Sequence, residues 1–191
     1  MKRIFLFLFA SFSLLAEAQN EVPSDSVGVW AVNNDKVTRI NKLSHQGVKV
    51  GGGLGTAVSF GIAKTKAKFV FKGATSESIF NKKAHLRLYF GNPPIMDAGN
   101  LYMFTPSNSI KNFEIAKFDV KKDKRMLTGV SISILGSKTG ASADKNAQVE
   151  FKEIRSGVYD VFVTGEPGEY CLIYTAYGTG GASGVFDFTI Q

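Results

Sequence analysis

The amino-acid sequence predicts an all-β protein, built as an antiparallel immunoglobulin-like or Greek-key β-sandwich. Apolar and polar residues alternate along most short segments, which is the pattern of strands with one buried face. Turn-forming residues separate these segments at intervals of about 10–15 residues, a spacing typical of sandwiches. No long segment carries apolar residues at helical spacing between helix caps. A parallel sheet with crossover helices is therefore not expected.

The predicted strands follow one another along the chain after residue 26. Asn-Asn-Asp at 33–35 tolerates left-handed turn conformations and predicts a hairpin between the first two strands. Gly47 and the glycines at 51–53 predict a loop. Pro93 ends a strand, because proline cannot donate to a ladder. The strands are predicted at residues 27–32, 36–40, 57–63, 64–72, 84–90, 101–105, 113–120, 125–135, 148–154, 158–164, 169–176 and 185–190.

Residues 1–18 have the three parts of a secretory signal peptide. Two basic residues follow Met1, an apolar run fills residues 4–10, and Ala-Glu-Ala ends the segment. The remaining residues, 19–191, are expected to form a single domain, in which residues 19–26 are a loose leader. The apolar run is shorter than the roughly 20 residues that span a bilayer, so the mature chain is expected to lack a transmembrane segment. We expect export to the periplasm or exterior of a Gram-negative bacterium.

The sequence offers few side chains for a metal or cofactor. The only histidines are His45 and His85. Neither has a carboxylate or thiol at ligand spacing, so no metal site and no cofactor are expected. A calcium site in the turn at 97–100 lacks the dense acidic spacing of a calcium loop. The single cysteine, Cys171, cannot form an internal disulfide, and its apolar neighbours predict a buried, unreactive thiol.

No residue pattern predicts catalysis, so no catalytic residue is assigned. The chain lacks a Gly-x-Ser-x-Gly nucleophile elbow. Its glycine-rich stretches lack the lysine and the helix of a phosphate-binding loop. A glycosidase needs two facing carboxylates. The acidic residues that lie close in sequence are expected on solvent-exposed faces of strands, and they are Glu150, Glu153, Asp160, Glu166 and Glu169.

One motif has a specific structural interpretation. Pro167 and Gly168 form a turn, and Tyr170 opens the apolar strand that follows. This arrangement is typical of the tyrosine corner of Greek-key sandwiches, in which the phenol bonds to backbone a few residues upstream. Gly168 and Tyr170 are therefore predicted to be structural.

Several segments in the second half of the chain form a recognisable set. They are Phe-Glu-Ile-Ala-Lys-Phe at 113–118, Lys-Arg at 124–125, Gly-Val-Tyr at 157–159, Pro-Gly-Glu-Tyr at 167–170 and Val-Phe-Asp-Phe at 185–188. The set resembles a group of exported bacterial β-sandwich proteins without an assigned function, and the resemblance covers roughly residues 84–190. The resemblance implies a sandwich fold and export. It carries over no catalytic or binding residue.

Positive charge is the main functional signal, since the chain has a formal net charge of +7. Lys64, Lys66 and Lys68 alternate, so they are expected on one face of a strand, where Trp30 or Tyr89 could add a stacking ring. Such a surface could hold an anionic glycan. Lysines on an exposed strand also block edge-to-edge aggregation, which is the structural alternative. A second basic cluster surrounds a turn and contains Lys117, Lys121, Lys122, Lys124 and Arg125.

These observations favour an exported, non-catalytic binding or interaction module of the bacterial cell envelope. Its expected partners are an anionic glycan or an envelope protein, and nucleic acid is not expected. A glycan-acting hydrolase and a structural subunit of a surface assembly are the alternatives. Clustered carboxylates in a cleft would favour the hydrolase. Lysines beside Trp30 or a tyrosine would favour glycan binding, and an unpaired apolar edge strand would favour assembly.

Overall fold

The computed structural model describes residues 22–34, 36–51, 65–133, 136–139, 146–175 and 184–191. The predicted signal peptide, the predicted strand at 57–63 and Lys64 lie outside these residues. The described strands are β1 (Gly28–Asn33), β2 (Lys36–Ile40), β3 (Gly47–Gly51), β4 (Thr65–Lys72), β5 (Ile79–Phe80), β6 (Lys83–Tyr89), β7 (Phe113–Lys117), β8 (Asp119–Lys121), β9 (Lys124–Ser133), β10 (Gly136–Thr139), β11 (Gln148–Arg155), β12 (Val158–Thr164), β13 (Gly168–Tyr174) and β14 (Val185–Ile190).

The described strands form three sheets. Sheet A has the order β11–β12–β6–β1–β2, and sheet C has the order β5–β14–β13–β7. Sheet B has the order β10–β9–β4–β3, with β8 paired to β9 as well. The pairing of β5 with β14 is parallel, and the other pairings are antiparallel. The prediction of an all-β sandwich is confirmed.

Sheet C lies between the other two sheets and is buried on both faces. Along β13, Tyr170 and Leu172 enter the core shared with sheet A, whereas Cys171 and Ile173 enter the core shared with sheet B. Alternate residues of a strand point to opposite faces. A strand covered on both sides is therefore buried at successive positions, and every residue of β14 is buried. Cys171 is a buried free thiol, as predicted.

Phenylalanine rings fill the core between sheets A and C. The ring centroids of Phe104 and Phe186 are 5.5 Å apart, and those of Phe80 and Phe188 are 6.2 Å apart. Both pairs are in edge-to-face contact. Edge-to-face geometry suits the quadrupoles of the two rings. Each fully buried ring stabilises the fold by about 1.5–3 kcal/mol through the removal of apolar surface from water.

A buried ionic network ties sheet B to sheet C. The side chain of Arg125, on β9, donates to Asp187 on β14, and its Nη1 lies 3.5 Å from Oε2 of Glu169 on β13. Glu169 also accepts bonds from the Ser76 backbone N–H at 2.9 Å and from the Thr189 hydroxyl at 2.8 Å. All five residues are less than 9% exposed. Arg125 therefore belongs to the interior, not to the basic surface cluster in which the sequence placed it.

The predicted tyrosine corner lies at the start of β13. The phenol of Tyr170 is buried and donates a hydrogen bond of 2.6 Å to the carbonyl oxygen of Glu166. A Cβ atom on Gly165 would lie 2.7 Å from that phenol oxygen, so the corner requires a glycine at this position. Lys117 donates from its Nζ to the Pro167 carbonyl oxygen at 3.3 Å, across the same turn that contains Gly168.

Some predicted elements differ from those of the structure. The strand predicted at 101–105 is wrong: residues 101–104 lie in a short helix, α1 (Ala98–Leu101), and a 3-10 turn (Tyr102–Phe104), which Thr105 caps. A short apolar run does not distinguish a strand from a buried helical turn. The strand predicted at 113–120 is two strands, because the chain passes from sheet C to sheet B at Phe118. Residues 47–51, predicted as loop, form β3 against β4.

Residues 22–26, which were expected to lie in a loose leader, contact the domain. Val22 packs against the core between sheets A and C. Ser24–Ser26 forms a 3-10 turn, and the Ser26 carbonyl oxygen accepts a hydrogen bond of 2.7 Å from Nε1 of Trp30. In the described part of the chain, no helix is long and apolar enough to cross a membrane.

Candidate functional site

The outer face of sheet A, which points away from sheet C, carries the chemistry of the candidate site. Along β6, Ala84, Leu86 and Leu88 are fully buried, and the residues between them are half-buried or exposed. Because strand side chains alternate between faces, the outer face of β6 presents two cations, an imidazole and a phenol. These residues are Lys83, His85, Arg87 and Tyr89.

One row of side chains crosses four strands on this face. Arg39 on β2 lies opposite Trp30 on β1, Trp30 lies opposite Arg87 on β6, and Arg87 lies opposite Asp160 on β12. The guanidinium carbon of Arg39 lies 5.8 Å from the Trp30 ring centroid, within the range of a cation–π contact. The hydrogen bond from Nε1 of Trp30 to Ser26 fixes the indole.

Asp160 is the charged centre of the row. Arg87 donates to its carboxylate from Nε at 2.6 Å and from Nη2 at 3.0 Å, and Nε2 of His85 lies 3.2 Å from Oδ2. Burial alone would raise the pKa of the Asp160 carboxyl. The hydrogen bonds and charges of Arg87 and His85 outweigh burial, so that the pKa lies below its ordinary value. The hydrogen bond to Asp160 raises the pKa of Arg87, which therefore stays charged.

A second row contains an aromatic ring beside two basic side chains of β6. Phe162 on β12 lies opposite His85, and the two ring centroids are 4.4 Å apart. Nζ of Lys83 also lies 4.3 Å from the Phe162 ring centroid. We call the set Trp30, Arg39, Lys83, Arg87, Tyr89 and Phe162 the aromatic–cationic face.

A groove continues this face at one end of sheet A. It has a volume of about 770 Å³ and lies between the turn after β1 and the turn after β5. Lys83 and His85 line it from β6, and three asparagines line it from the end of β1 and the two turns, namely Asn33, Asn34 and Asn81. The side-chain N–H of Asn33 donates to the Ile79 carbonyl oxygen at 2.9 Å. We call it the asparagine groove. Amide groups both donate and accept hydrogen bonds, so the groove matches a ligand that is rich in hydroxyl groups.

The two turns have left-handed residues that shape this groove. Asn34, with a φ of 51°, closes the predicted hairpin between β1 and β2. Lys82, with a φ of 63°, turns the chain from β5 into β6. Asparagine tolerates this conformation well, whereas a long side chain adopts it at a cost of about 1–2 kcal/mol. The backbone N–H of Lys82 donates to the Gln191 carbonyl oxygen at 2.9 Å, which helps to hold the turn.

The structure separates the residues of the predicted ligand surface. Trp30 and Tyr89 both lie on sheet A. In the β1–β6 ladder, Trp30 lies opposite Arg87 and Tyr89 lies opposite Gly28. Lys68 lies on β4 of sheet B, which packs on the far side of sheet C. Its Nζ bonds to Oδ2 of Asp119 at 2.6 Å. Lys66 also belongs to β4, and Lys64 lies outside the described residues. Trp30 and Tyr89 are therefore accompanied by other cations than the predicted lysines.

Sequence reasoning missed Arg87, Asp160, Phe162 and Lys83 as site residues. Their positions on the outer faces of β6 and β12 follow from the alternating pattern that predicted both strands. What the pattern does not contain is the pairing of β6 with β12, which lie about 75 residues apart and meet only in the folded sheet. In the sequence alone, without that pairing, nothing connects Arg87 with Asp160.

Acidic residues were expected on solvent-exposed strand faces, and two of the five are not exposed. Asp160 is 4% exposed and Glu169 is 7% exposed, and each is bound by an arginine. Within the described ranges, no group of three or more histidine, cysteine or acidic side chains could hold a metal ion. At residues 97–100, where the sequence offered a calcium site, Oδ2 of Asp97 lies 3.9 Å from Nη2 of Arg39. This positive charge disfavours a metal cation at the Asp97 carboxylate.

Comparison with known proteins gave no match: the chain matches no family model, no curated protein and no solved structure. The resemblance to exported bacterial β-sandwich proteins therefore stays a prediction, and so do the signal peptide and the compartment.

Proposed function

We propose that this chain is an exported, non-catalytic binding module of the bacterial cell envelope, which holds an acidic glycan against the outer face of sheet A. The single observation that carries the proposal is the aromatic–cationic face with the asparagine groove at its end. Trp30 and Phe162 provide apolar rings, Arg39 and Lys83 provide charge, and the groove provides amides.

The chemistry of an acidic sugar chain matches each part of this surface. Aromatic side chains accept the apolar C–H face of a sugar ring while they stay partly exposed to water. Lys83 is exposed, and its ammonium group attracts a carboxylate or sulfate group. The amides of the asparagine groove exchange hydrogen bonds with hydroxyl groups. Since Lys83 is exposed, salt should weaken its attraction for an anionic ligand.

The carboxylates support binding over hydrolysis. A glycosidase needs one carboxylic acid and one carboxylate on either side of the scissile bond. Asp160 is engaged by Arg87, and Glu169 is engaged by Arg125, Ser76 and Thr189. Both carboxylates therefore serve the fold. Glu150 and Glu153 are exposed on an edge strand, and Glu153 lies within 3.5 Å of the Tyr159 hydroxyl.

The proposal is tested by calorimetric titration of the purified protein with polygalacturonate, an acidic glycan, and with dextran, a neutral one. We expect polygalacturonate to bind at low salt and dextran to bind weakly or not at all. Lys83→Glu should weaken binding at least tenfold, because it reverses the charge between Phe162 and the groove. Asn81→Ala should weaken it less.

Two variants serve as controls in that titration. Lys111→Glu makes the same charge change at an exposed site outside the aromatic–cationic face and should keep the affinity within about twofold of wild type at equal salt. Lys68→Glu tests the strand-β4 lysines. Loss of binding in Lys68→Glu but not in Lys83→Glu would reject the sheet A site. Equal binding of dextran and polygalacturonate would reject an acidic ligand.

A further inference from the structure

Strand β11 is an edge of sheet A, and all eight of its residues are exposed. Among the described residues it pairs with β12 alone. Val149 and Phe151 are 37% and 41% exposed, although their partners on β12, Val163 and Val161, are fully buried. An edge strand that presents apolar side chains beside unpaired backbone groups is a template for a further strand.

The charges on the other face of β11 narrow the choice of that strand. Glu150 lies opposite Phe162, and Lys152 lies opposite Asp160, so both point to the outer face of sheet A. Pairing with β12 is regular from Gln148 to Glu153 and becomes irregular only after Glu153. The segment 149–153 is therefore a regular strand with an acid and a base placed symmetrically about Phe151.

We infer that β11 pairs antiparallel with β11 of a second copy of this chain, about a two-fold axis at Phe151. In this register Glu150 faces Lys152 of the second copy, and Lys152 faces its Glu150. The two Phe151 rings meet on the opposite face of the sheet. Opposite charges directly across an antiparallel pair are stabilising, and so are facing aromatic rings.

Other registers of the same pairing are disfavoured. A shift by two residues places Glu150 against Glu150 in one direction and Lys152 against Lys152 in the other, and like charges directly opposite are destabilising. A shift by one residue sets the outer face of one copy beside the inner face of the other. The charge pattern of β11 is therefore complementary to that of a second copy of β11. Pairing with an unrelated extended segment would not require the acid and the base to be symmetric about Phe151.

The inferred dimer would join two five-stranded sheets A into one continuous sheet. This inference is independent of the proposed glycan-binding function, because Glu150, Phe151 and Lys152 lie outside the aromatic–cationic face. If both hold, two such faces would lie side by side, and one glycan chain could engage both with higher avidity.

The test is sedimentation equilibrium of the protein, expressed from its full-length sequence and purified, together with two charge variants. We expect wild type to dimerise. Glu150→Lys gives a chain with lysine at both positions, and Lys152→Glu gives a chain with glutamate at both. Each variant alone should dimerise at least roughly tenfold more weakly, because both cross-pairs become repulsive. An equimolar mixture should form heterodimers, because each lysine then faces a glutamate.

Control variants separate the register from general effects of charge. Glu77→Lys and Lys111→Glu make the same changes at exposed positions outside sheet A and should dimerise as wild type does. All variants should unfold at the same urea concentration as wild type when measured at a concentration at which wild type is monomeric. A monomeric wild type at several hundred micromolar would overturn the inference. It would also be overturned if both single variants dimerise normally, or if their mixture stays monomeric.

Discussion

Arg87 and Asp160 are joined by two hydrogen bonds, of 2.6 and 3.0 Å, across the ladder of β6 and β12. Two nitrogen atoms of the guanidinium group bond to the two oxygen atoms of the carboxylate, which is the strong bidentate form of this pair. Trp30 flanks Arg87 on one side, and His85 with Phe162 flanks Asp160 on the other. The pair therefore belongs to one row of side chains on the outer face of sheet A and contacts the other.

Asp160→Asn should lower the free energy of unfolding by about 2 kcal/mol at pH 7, because charge-assisted hydrogen bonds are lost. The lowered pKa of Asp160 gives the pH dependence. Its stabilisation is complete above the unfolded pKa of about 3.9 and is lost as the pH falls through the folded pKa. The difference in the free energy of unfolding between Asp160→Asn and wild type, measured by urea titration, should therefore become smaller below about pH 4.

Asp119→Asn is the matched control for this prediction. Asp119 pairs with Lys68 at 2.6 Å, but its side chain is 58% exposed, so its loss should cost less than about 1 kcal/mol. A difference for Asp160→Asn that stays constant down to pH 3 would contradict the assigned role of the carboxylate.

Arg125→Ala should lower the free energy of unfolding by about 3–5 kcal/mol, because it leaves Asp187 and Glu169 buried without their cation. Lys121→Ala, on the adjoining exposed strand β8, should change it by less than about 0.5 kcal/mol. Urea denaturation at pH 7 measures both. If Arg125→Lys loses as little as Lys121→Ala, the bonds of the guanidinium group to the backbone of Gly73 and Lys72 contribute nothing, contrary to the account.

Tyr170→Phe removes only the hydroxyl group of the tyrosine corner and leaves the buried ring in place. It should lower the free energy of unfolding by about 1–2 kcal/mol, because the Glu166 carbonyl loses its donor. Tyr159→Phe is the control, since its hydroxyl bonds to exposed Glu153 at 3.5 Å and should contribute less than about 0.5 kcal/mol. Equal losses in the two variants would argue against a pinning role for Tyr170.

The thiol of Cys171 should be unreactive in the folded chain. Burial raises its pKa, and the thiolate is the reactive form. An aromatic disulfide reagent at pH 8 should label no thiol in the native protein and one thiol per chain in 6 M urea. Rapid labelling of the native protein would show that sheet B does not cover Cys171 as described.

Three strands are predicted with the same bounds that they have in the structure. β2, β12 and β14 begin and end where the sequence places them, because turn residues border each of them. The break at Phe118 could not be predicted, since the alternating pattern continues while the chain changes sheets. The role of Arg125 could not be predicted either. Its buried partners, Glu169 and Asp187, come from strands more than forty residues away.

For the candidate site, the sequence identified two of the rings, Trp30 and Tyr89, as half-exposed aromatics. It grouped them with Lys68, because charge alternation within one strand is visible in the sequence, whereas the order of strands in a sheet is not. The cations that do lie beside the rings are Arg39, Lys83 and Arg87, which come from β2 and β6.

Trp30 is the only tryptophan of the chain and lies within the proposed binding face. Its fluorescence therefore reports directly on the surroundings of that face. We expect polygalacturonate to change the intensity or wavelength of the emission in a saturable titration at low salt. The change should be reduced by added salt and by Lys83→Glu. Calorimetric binding of polygalacturonate without any change in the emission of Trp30 would contradict the central claim that sheet A holds the ligand.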